Sequence, residues 1–397
     1  MHALICTLLT LQAPAPAAPI TPATLQDALQ APPRGEAAQI LAARIRAAFA
    51  PGVDLKAGTH APLIDGNTVA FILESGPAPA PRVTGMLDHS RGLDMVPIGE
   101  TGLWARVEEI PTDTKFAYAY RVGDRTFGNR AVEMPDWKYP PESSPKPGAP
   151  VGRYLPIAFR SEVFGNNRTG WIYEPAALNP DGPPSALMVF QDGDAYKGER
   201  IGTVVDNLIA EGSMPITVLV LLNPGKNDDG KSNRSVEYDT LSPKYATFLE
   251  KEVLPLVARD RRLRTDPASR AIGGASSGGI CAFTVAWERP DLFGRVCSQI
   301  GSFTNIRGGN AYPDLVRKAD PKPIKVFLHD GTNDLINRAG DWWQANEAMY
   351  AALTEKNYDV DFLKDRGFHA YWSCGIRLPE ALRRTWKDRP AAAEAPR

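Results

Sequence analysis

The C-terminal part of the chain alternates continuous apolar runs with stretches whose apolar residues recur at helical spacing. Residues 186–190 form a continuous hydrophobic segment, and residues 216–222 form another that only Thr217 interrupts, which is the pattern of parallel strands buried on both faces. Residues 245–257 and 342–356 carry apolar residues on one helical side. This alternation over residues 151–390 predicts a mostly parallel sheet with helices on both faces. Further strands are predicted at 271–272, 295–300, 324–328 and 359–363, and a closing helix at 378–386.

Upstream, the pattern changes to short strand candidates separated by turn residues. Several short strands with frequent turn signals predict a small all-β sandwich over residues 56–132. Residues 133–150 are rich in Pro, Glu, Ser and Lys and are predicted to form a linker. The strand candidates of the sandwich are 68–73, 82–86, 103–107 and 116–122.

The first 55 residues carry two different signals. Residues 1–20 place an apolar core of about nine residues before an Ala/Pro tract, which resembles a short signal peptide without a basic residue ahead of the core. This pattern predicts a periplasmic or secreted protein, with a cytoplasmic protein as the alternative. Residues 21–55 are expected to be helical or irregular, because residues 36–50 carry apolar side chains at helical spacing.

Composition narrows the classes of function. The 397 residues carry a net charge of −1, so the chain lacks the electrostatic footprint of a nucleic-acid-binding protein. No apolar run reaches the ~18 residues that a membrane span needs. The cysteines have no metal-binding spacing, and buried hydrophobic roles are favoured over a disulfide for Cys6, Cys281, Cys297 and Cys374. The sequence therefore predicts no cofactor and no metal, and it leaves the oligomeric state open.

The candidate nucleophile lies in the motif Gly-x-Ser-x-Gly at residues 274–278. An apolar strand end precedes the motif and a helix-like stretch follows it, which is the context of a nucleophile elbow. Glycines two residues before and after the serine let the strand and the helix pack closely around a strained turn. Only Ser276 has glycine at both positions, since Ser277 would need one at Ala275. The motif predicts Ser276 as the nucleophile.

A serine hydroxyl needs a base, and the base needs an orienting acid. In this kind of fold the chain order is serine, acid, histidine. His369 lies in a loop after the last predicted strand and is favoured as base over His329, which comes before the acid candidates. The acid should follow the strand at 324–328, where Asp334 is favoured and Asp330 stays open.

Two loops are expected to complete the active site. The tetrahedral intermediate of acyl transfer needs N–H donors, predicted to be the amide of Ser277 and one from the loop at 191–196. The polar loop after the strand at 216–222 should lie at the rim of the site. Three of its side chains are predicted to contact the substrate or support the pocket: Arg234, Glu237 and Tyr238.

Four segments, taken in order, resemble the esterase family of α/β-hydrolases, which includes enterochelin esterases, feruloyl esterases, S-formylglutathione hydrolases and mycolyltransferases. They are FQDGDAY at 190–196, GASSGG at 274–279, DGTND at 330–334 and GFH at 367–369. The resemblance implies an α/β-hydrolase fold and the roles of nucleophile, acid and base for Ser276, Asp334 and His369. It also implies that the amides of Asp194 and Ser277 bind the oxyanion. The predicted sandwich resembles the Ig-like domain that precedes the hydrolase in enterochelin esterases.

These observations together predict a serine carboxylic-ester hydrolase that resembles enterochelin esterases. Feruloyl or acetyl esterase activity on carbohydrate esters, and acyl transfer with the same triad, remain alternatives. A catalytically inactive carbohydrate-binding module is disfavoured, because three triad candidates are present in the right order. The expected partner is a small-molecule or carbohydrate-linked ester.

Overall fold

The computed structural model describes residues 20–86 and 92–388. The predicted signal peptide at 1–20 lies outside the described residues except for Ile20, as do Cys6 and His89, so export stays a prediction. The chain divides into two compact units, one formed by residues up to 112 with 117–134, the other by 113–116 with the residues from 135 onward. Among the described residues, no helix has both the length and the apolar character to cross a bilayer.

In its described residues, 20–86 and those from 92 onward, the first unit contains two helices and two four-stranded sheets. The order of one sheet is β1-β2-β6-β5 and that of the other is β4-β3-β7-β8. The elements are α1 (Pro22–Gln30), α2 (Gly35–Ala47), β1 (Leu63–Asp65), β2 (Thr68–Glu74), β3 (Arg82–Gly85), β4 (Leu93–Asp94), β5 (Val96–Pro97), β6 (Leu103–Glu109), β7 (Lys115–Val122) and β8 (Arg125–Glu133).

The two helices share a core with the first sheet. Leu25 of α1 and Ile45 of α2 are fully buried in one cluster with Ile72 of β2 and Ala105 of β6. The residues at 21–55 therefore cover one face of a sheet whose alternate side chains are apolar. The unit is a mixture of helices and strands, and an Ig-like arrangement of its strands stays a prediction.

The second unit is built on one large sheet. The strands of this unit are β9 (Arg153–Ser161), β10 (Asn166–Glu174), β11 (Ala186–Gln191), β12 (Thr217–Leu222), β13 (Arg270–Ala275), β14 (Arg295–Gln299), β15 (Lys325–Asn333), β16 (Ile336–Asn337), β17 (Gly340–Asp341) and β18 (Asp359–Phe368). Strands β16 and β17 form a separate two-stranded sheet. The helices of this unit are α3 (Gly193–Gly198), α4 (Ile201–Ala210), α5 (Arg234–Tyr238), α6 (Lys244–Phe248), α7 (Leu254–Ala258), α8 (Ser277–Glu288), α9 (Tyr312–Lys318), α10 (Trp342–Glu355) and α11 (Tyr371–Thr385).

The large sheet has eight strands in the order β18-β15-β14-β13-β11-β12-β10-β9. The six strands from β18 to β12 are parallel. Strand β10 is antiparallel to β12, and β9 is antiparallel to β10. Alternate residues of β11 enter two different cores: Leu187 packs with α8 and α10, and Met188 packs with α4 and α11. The predicted α/β architecture, a large mixed sheet with helices on both faces, is confirmed.

Four parallel strands end directly before a residue of interest. Asp192 follows β11, Ser276 follows β13, Asp334 follows β15 and His369 follows β18. The carboxyl ends of parallel strands meet at one edge of the sheet, so the topology brings these residues to the same place. Strand β15 ends at Asn333 and β18 at Phe368, whereas the sequence predicted ends at 328 and 363. The pairing of β15 with β18 has a register shift between Gly331 and Asn333.

Candidate active site

Ser276 sits on a strained turn between β13 and α8. Its backbone has φ 59° and ψ −123°, a region that non-glycine residues rarely adopt. A Cβ atom on Gly274 would lie 2.5 Å from the backbone carbonyl carbon of Gly278. Gly274 is therefore required by the close packing of the strand against the helix, as the sequence motif predicted, whereas a Cβ atom on Gly278 would lie 3.1 Å from Asp192 Oδ2 and from Gln191 Cβ.

The side chains of Ser276, His369 and Asp334 form one hydrogen-bonded chain. The Ser276 hydroxyl lies 2.8 Å from His369 Nε2, and His369 Nδ1 lies 2.5 Å from Asp334 Oδ1. The Leu335 amide also donates to Asp334 Oδ1. Because the carboxylate can only accept, the proton of the neutral imidazole belongs on Nδ1, and Nε2 is left free to accept the proton of Ser276.

Burial controls the protonation of this chain. It lowers the pKa of His369 from its ordinary 6.5 to about 4, so the imidazole is neutral at neutral pH. Burial raises the pKa of Asp334 to about 6. It also raises the pKa of Asp330 well above the ordinary value, and the neighbouring charge of Asp334 acts in the same direction. Burial and the charge of Asp334 therefore both favour the protonated form of Asp330.

The alternative acid and base are both buried away from Ser276. The Asp330 carboxyl accepts hydrogen bonds from the Gly331 amide and from Asn346 Nδ2, each at 2.8 Å. His329 has no exposed surface, and its Nε2 lies 3.2 Å from Asp365 Oδ2. The histidine that the structure brings to Ser276 is thus His369, and the carboxylate that it brings to His369 is Asp334.

A cavity of about 410 Å³ opens beside Ser276 and His369. Its wall is mixed in character, with two carboxylates, one guanidinium, an amide and a tyrosine. The residues that line it with Ser276 and His369 are Asp192, Asp194, Ala195, Asn223, Pro224, Arg234, Ala275, Ile300, Ala370 and Tyr371. Sequence reasoning missed Asn223, although it directly follows the predicted strand β12, and the rule that sites lie at strand ends could have found it.

The two predicted oxyanion donors occupy different surroundings. Ser277 is the first residue of α8 and is buried, so its amide is one of those that a helix start leaves without an intrahelical partner. The Asp194 amide donates to Asn223 Oδ1 at 2.9 Å. The Asp194 carboxylate accepts from Asn223 and from Trp171 Nε1 at 2.7 Å. The oxyanion role of these two residues stays a prediction.

The three polar residues predicted near the rim all lie on α5 and have different surroundings. Arg234 lines the cavity. Glu237 is buried and accepts hydrogen bonds from Arg168 at 2.6 Å and from Asn166 at 2.7 Å, both on β10. Tyr238 is 1% exposed. Among the three, Arg234 alone lines this cavity, and the other two hold α5 against the core.

Arg234 also clamps the loop that follows β11. Its Nε and one terminal nitrogen each donate to Asp192 at 2.8 Å, a two-point contact with both carboxylate oxygens. Asp192 has φ 57° and ψ 51°, the left-handed region that usually requires glycine. The clamp therefore stabilises a strained residue at the start of the loop that carries Asp194.

A second hydroxyl touches the candidate nucleophile. Ser302 Oγ lies 3.1 Å from Ser276 Oγ, and Trp342 Nε1 donates to Ser302 Oγ at 3.1 Å. The Trp342 ring meets the His369 ring edge to face, with 5.5 Å between centroids. Trp342 is buried, with 3% of its surface exposed, and the sequence contained no signal for Ser302.

Comparison with known proteins identifies the family. The model of the family described as "Putative esterase" matches residues 161–366. The chain belongs to this family. That span contains Ser276 and Asp334 and ends three residues before His369.

Two relatives of this chain have names that state an esterase activity. It is 26% identical over 242 residues to the iron(III) enterobactin esterase of Escherichia coli, covering 58% of this chain and 56% of that protein. It is 21% identical over 346 residues to an endo-1,4-beta-xylanase/feruloyl esterase of Xylanibacter ruminicola, covering 81% and 44%. The chain thus spans about half the length of these two relatives.

A solved structure shares the fold. The enterobactin esterase of Shigella flexneri, crystallised in the presence of enterobactin, superposes with a TM-score of 0.63 at 19% identity. The match covers 81% of this chain and 93% of that one. At this identity the likeness shows a common fold. The family and the named relatives support a carboxylic ester hydrolase, so that prediction is confirmed.

Proposed function

We propose that this esterase hydrolyses carboxylic esters with Ser276 as nucleophile, His369 as general base and Asp334 as the orienting acid. The observation that carries the proposal is the continuous chain of hydrogen bonds from Ser276 Oγ through both nitrogens of His369 to Asp334. A nucleophile within reach of a base, and a base held by a third group, is the geometry that activates a serine hydroxyl.

The reaction follows from this geometry. His369 Nε2 takes the Ser276 proton as Oγ attacks the ester carbonyl, and the imidazolium is stabilised by Asp334. Amide donors at the start of α8 and after β11, proposed to be those of Ser277 and Asp194, stabilise the oxyanion, and the Asp194 amide turns to it from its bond to Asn223 Oδ1. The alcohol leaves with the proton from His369, and a water molecule then hydrolyses the acyl-enzyme by the same steps in reverse.

The substrate is proposed to be a small-molecule or carbohydrate-linked ester of the kind that enterobactin and feruloyl esterases take. Two observations support this class: the names of the relatives, and a cavity of about 410 Å³ that is open beside the nucleophile. The Shigella match extends well beyond the esterase unit, which also supports the proposal of an Ig-like domain in residues 56–132.

Hydrolysis of a panel of p-nitrophenyl esters tests the proposal. Ser276→Ala should abolish turnover, because it removes the attacking oxygen, whereas Ser277→Ala should keep most of it, because only its amide is used. Circular dichroism of both variants checks that they are folded. If Ser277→Ala is the inactive variant, the nucleophile has been misassigned.

The acid is tested by a matched pair of substitutions. Asp334→Asn should lower kcat by about 10⁴, since a misdirected histidine proton has that cost in serine triads. Asp330→Asn should lower kcat far less, because the Asp330 carboxyl is bonded to the Gly331 amide and to Asn346 rather than to His369, and asparagine resembles the protonated form that burial favours. Equal losses in the two variants would show that Asp330 shares the catalytic charge.

A further inference from the structure

We propose that Ser302 is a second hydrogen-bond donor to the nucleophile oxygen, and that Trp342 fixes the direction in which Ser302 donates. This inference rests on the proposed function, since it assigns a partner to the oxygen that attacks the ester. It adds a residue outside the Ser-His-Asp triad that contacts a reacting atom.

The side chains of Ser276, Ser302 and Trp342 form one chain of hydrogen bonds. Ser302 is 1% exposed, and its Oγ is 3.1 Å from both Ser276 Oγ and Trp342 Nε1. The Ser302 backbone amide also donates to the Ser276 carbonyl at 3.0 Å, which fixes the loop after β14 against the strained turn. Two independent hydrogen bonds therefore hold Ser302 against the nucleophile.

The direction of every hydrogen bond in this chain is set by its two ends. An indole N–H can only donate, so Ser302 Oγ accepts from Trp342 and its single proton remains for Ser276. At the other end, an ionised Asp334 can only accept, so His369 Nε2 is the acceptor for the Ser276 proton. Ser276 Oγ therefore accepts from Ser302 while it donates to His369.

This arrangement acts when negative charge reaches Ser276 Oγ. Charge develops there as the proton passes to His369, and again when the acyl-enzyme breaks and Oγ is the leaving group. A hydrogen bond from Ser302 is stronger to a charged oxygen than to a neutral one, and stronger in a buried site than in water. The bond should therefore stabilise both transition states more than it stabilises the resting enzyme.

Two substitutions break this chain of hydrogen bonds at different points. Ser302→Ala removes the donor, and Trp342→Phe keeps an aromatic ring against His369 but removes the N–H that sets the direction. We expect Ser302→Ala to lower kcat for a p-nitrophenyl ester by about three- to tenfold with little change in KM, the fold-change of one lost hydrogen bond. The rate at which a fluorophosphonate labels Ser276 should fall by the same factor.

The double variant tests whether Trp342 acts through Ser302. If it does, Ser302→Ala combined with Trp342→Phe should be no slower than Ser302→Ala alone, because the shared bond is lost only once. Additive losses would contradict the assigned role of Trp342. Wild-type kcat and labelling rate in Ser302→Ala would overturn the proposal as a whole.

Two controls distinguish a failure of the Ser302 proposal from a failure of the proposed esterase mechanism. Ser298→Ala removes another buried serine hydroxyl near the same loop, one without a hydrogen-bond partner, and should leave kcat unchanged. Melting temperatures of all variants distinguish a loss of stability from a loss of rate. Full turnover in Ser276→Ala would refute the proposed function, whereas an inactive Ser276→Ala with an unaffected Ser302→Ala would refute this inference alone.

Discussion

Burial lowers the pKa of the histidine of the site and raises the pKa of its two carboxyl groups. His369 has 15% of its side chain exposed and Asp334 none. Burial therefore keeps His369 neutral down to a lower pH than usual, and it keeps Asp334 neutral up to a higher pH than usual. Neutral imidazole is the form that a general base needs. The raised pKa of Asp330 favours its neutral form, which keeps a second negative charge away from Asp334. The sequence selected the histidine and the carboxylate that the structure brings to Ser276. It could not show that Asp330 would be enclosed, because Asn346, which donates to Asp330, comes from α10.

The pH dependence of activity should follow from these pKa values. The base works as neutral His369 beside ionised Asp334, and both forms are lost as pH falls, through about 6 for Asp334 and about 4 for His369. We expect kcat/KM to be level above about pH 7 and to fall between about pH 6 and 4. The measurement is a pH–rate profile with p-nitrophenyl butyrate, and return of the enzyme to pH 8 controls for unfolding. An acid limb centred above about pH 7 would contradict the lowered pKa of His369.

At the scale of elements, α5 links the active site to the edge of the sheet. Arg234 at the start of α5 lines the cavity. One turn later, Glu237 forms an ion pair with Arg168 on β10, and neither side chain of this pair is exposed. The Arg168 guanidinium also lies over the Phe248 ring, 4.3 Å from its centroid. A five-residue helix is too short to be stable alone, so this buried ion pair anchors it.

Loss of the anchor should cost stability rather than substrate affinity. Glu237→Gln keeps the shape of the side chain but leaves Arg168 buried without a counter-charge, which should lower the free energy of unfolding by about 3–5 kcal/mol. Urea unfolding measures that change, and KM of the folded variant should stay near the wild-type value. The exposed pair Arg160–Asp228 is the control, since Asp228→Asn should hardly shift the urea midpoint. A raised KM with normal stability would instead make Glu237 a substrate contact.

The edge of the sheet is where sequence patterns failed. The hairpin of β9 and β10 was not predicted, because β9 alternates exposed and partly buried residues and carries Pro156. Proline is tolerated there because β9 is an edge strand. The central strands β11 and β12 were found because both of their faces are buried and their runs are continuously apolar.

At the scale of the whole molecule, the sequence separated the esterase unit from the residues before it, and the structure divides the chain near the predicted linker. It treated residues 21–55 as a separate segment, although α1 and α2 share a core with the first sheet. Helical periodicity shows that a helix has an apolar face but not which sheet will cover it. The buried cysteines behaved as composition suggested: Cys281, Cys297 and Cys374 are free and enclosed.

The strained turn at Ser276 has a consequence for the durability of the protein. A residue held in such a conformation costs on the order of 1–3 kcal/mol, and glycine would adopt it without that cost. Ser276→Gly should therefore be inactive yet melt at a higher temperature than Ser276→Ala, which keeps the strain; differential scanning calorimetry compares them. An equal or lower melting temperature for the glycine variant would mean that the turn is not under strain. A higher melting temperature for the glycine variant would mean that natural selection has kept a less stable turn at Ser276 for the sake of turnover.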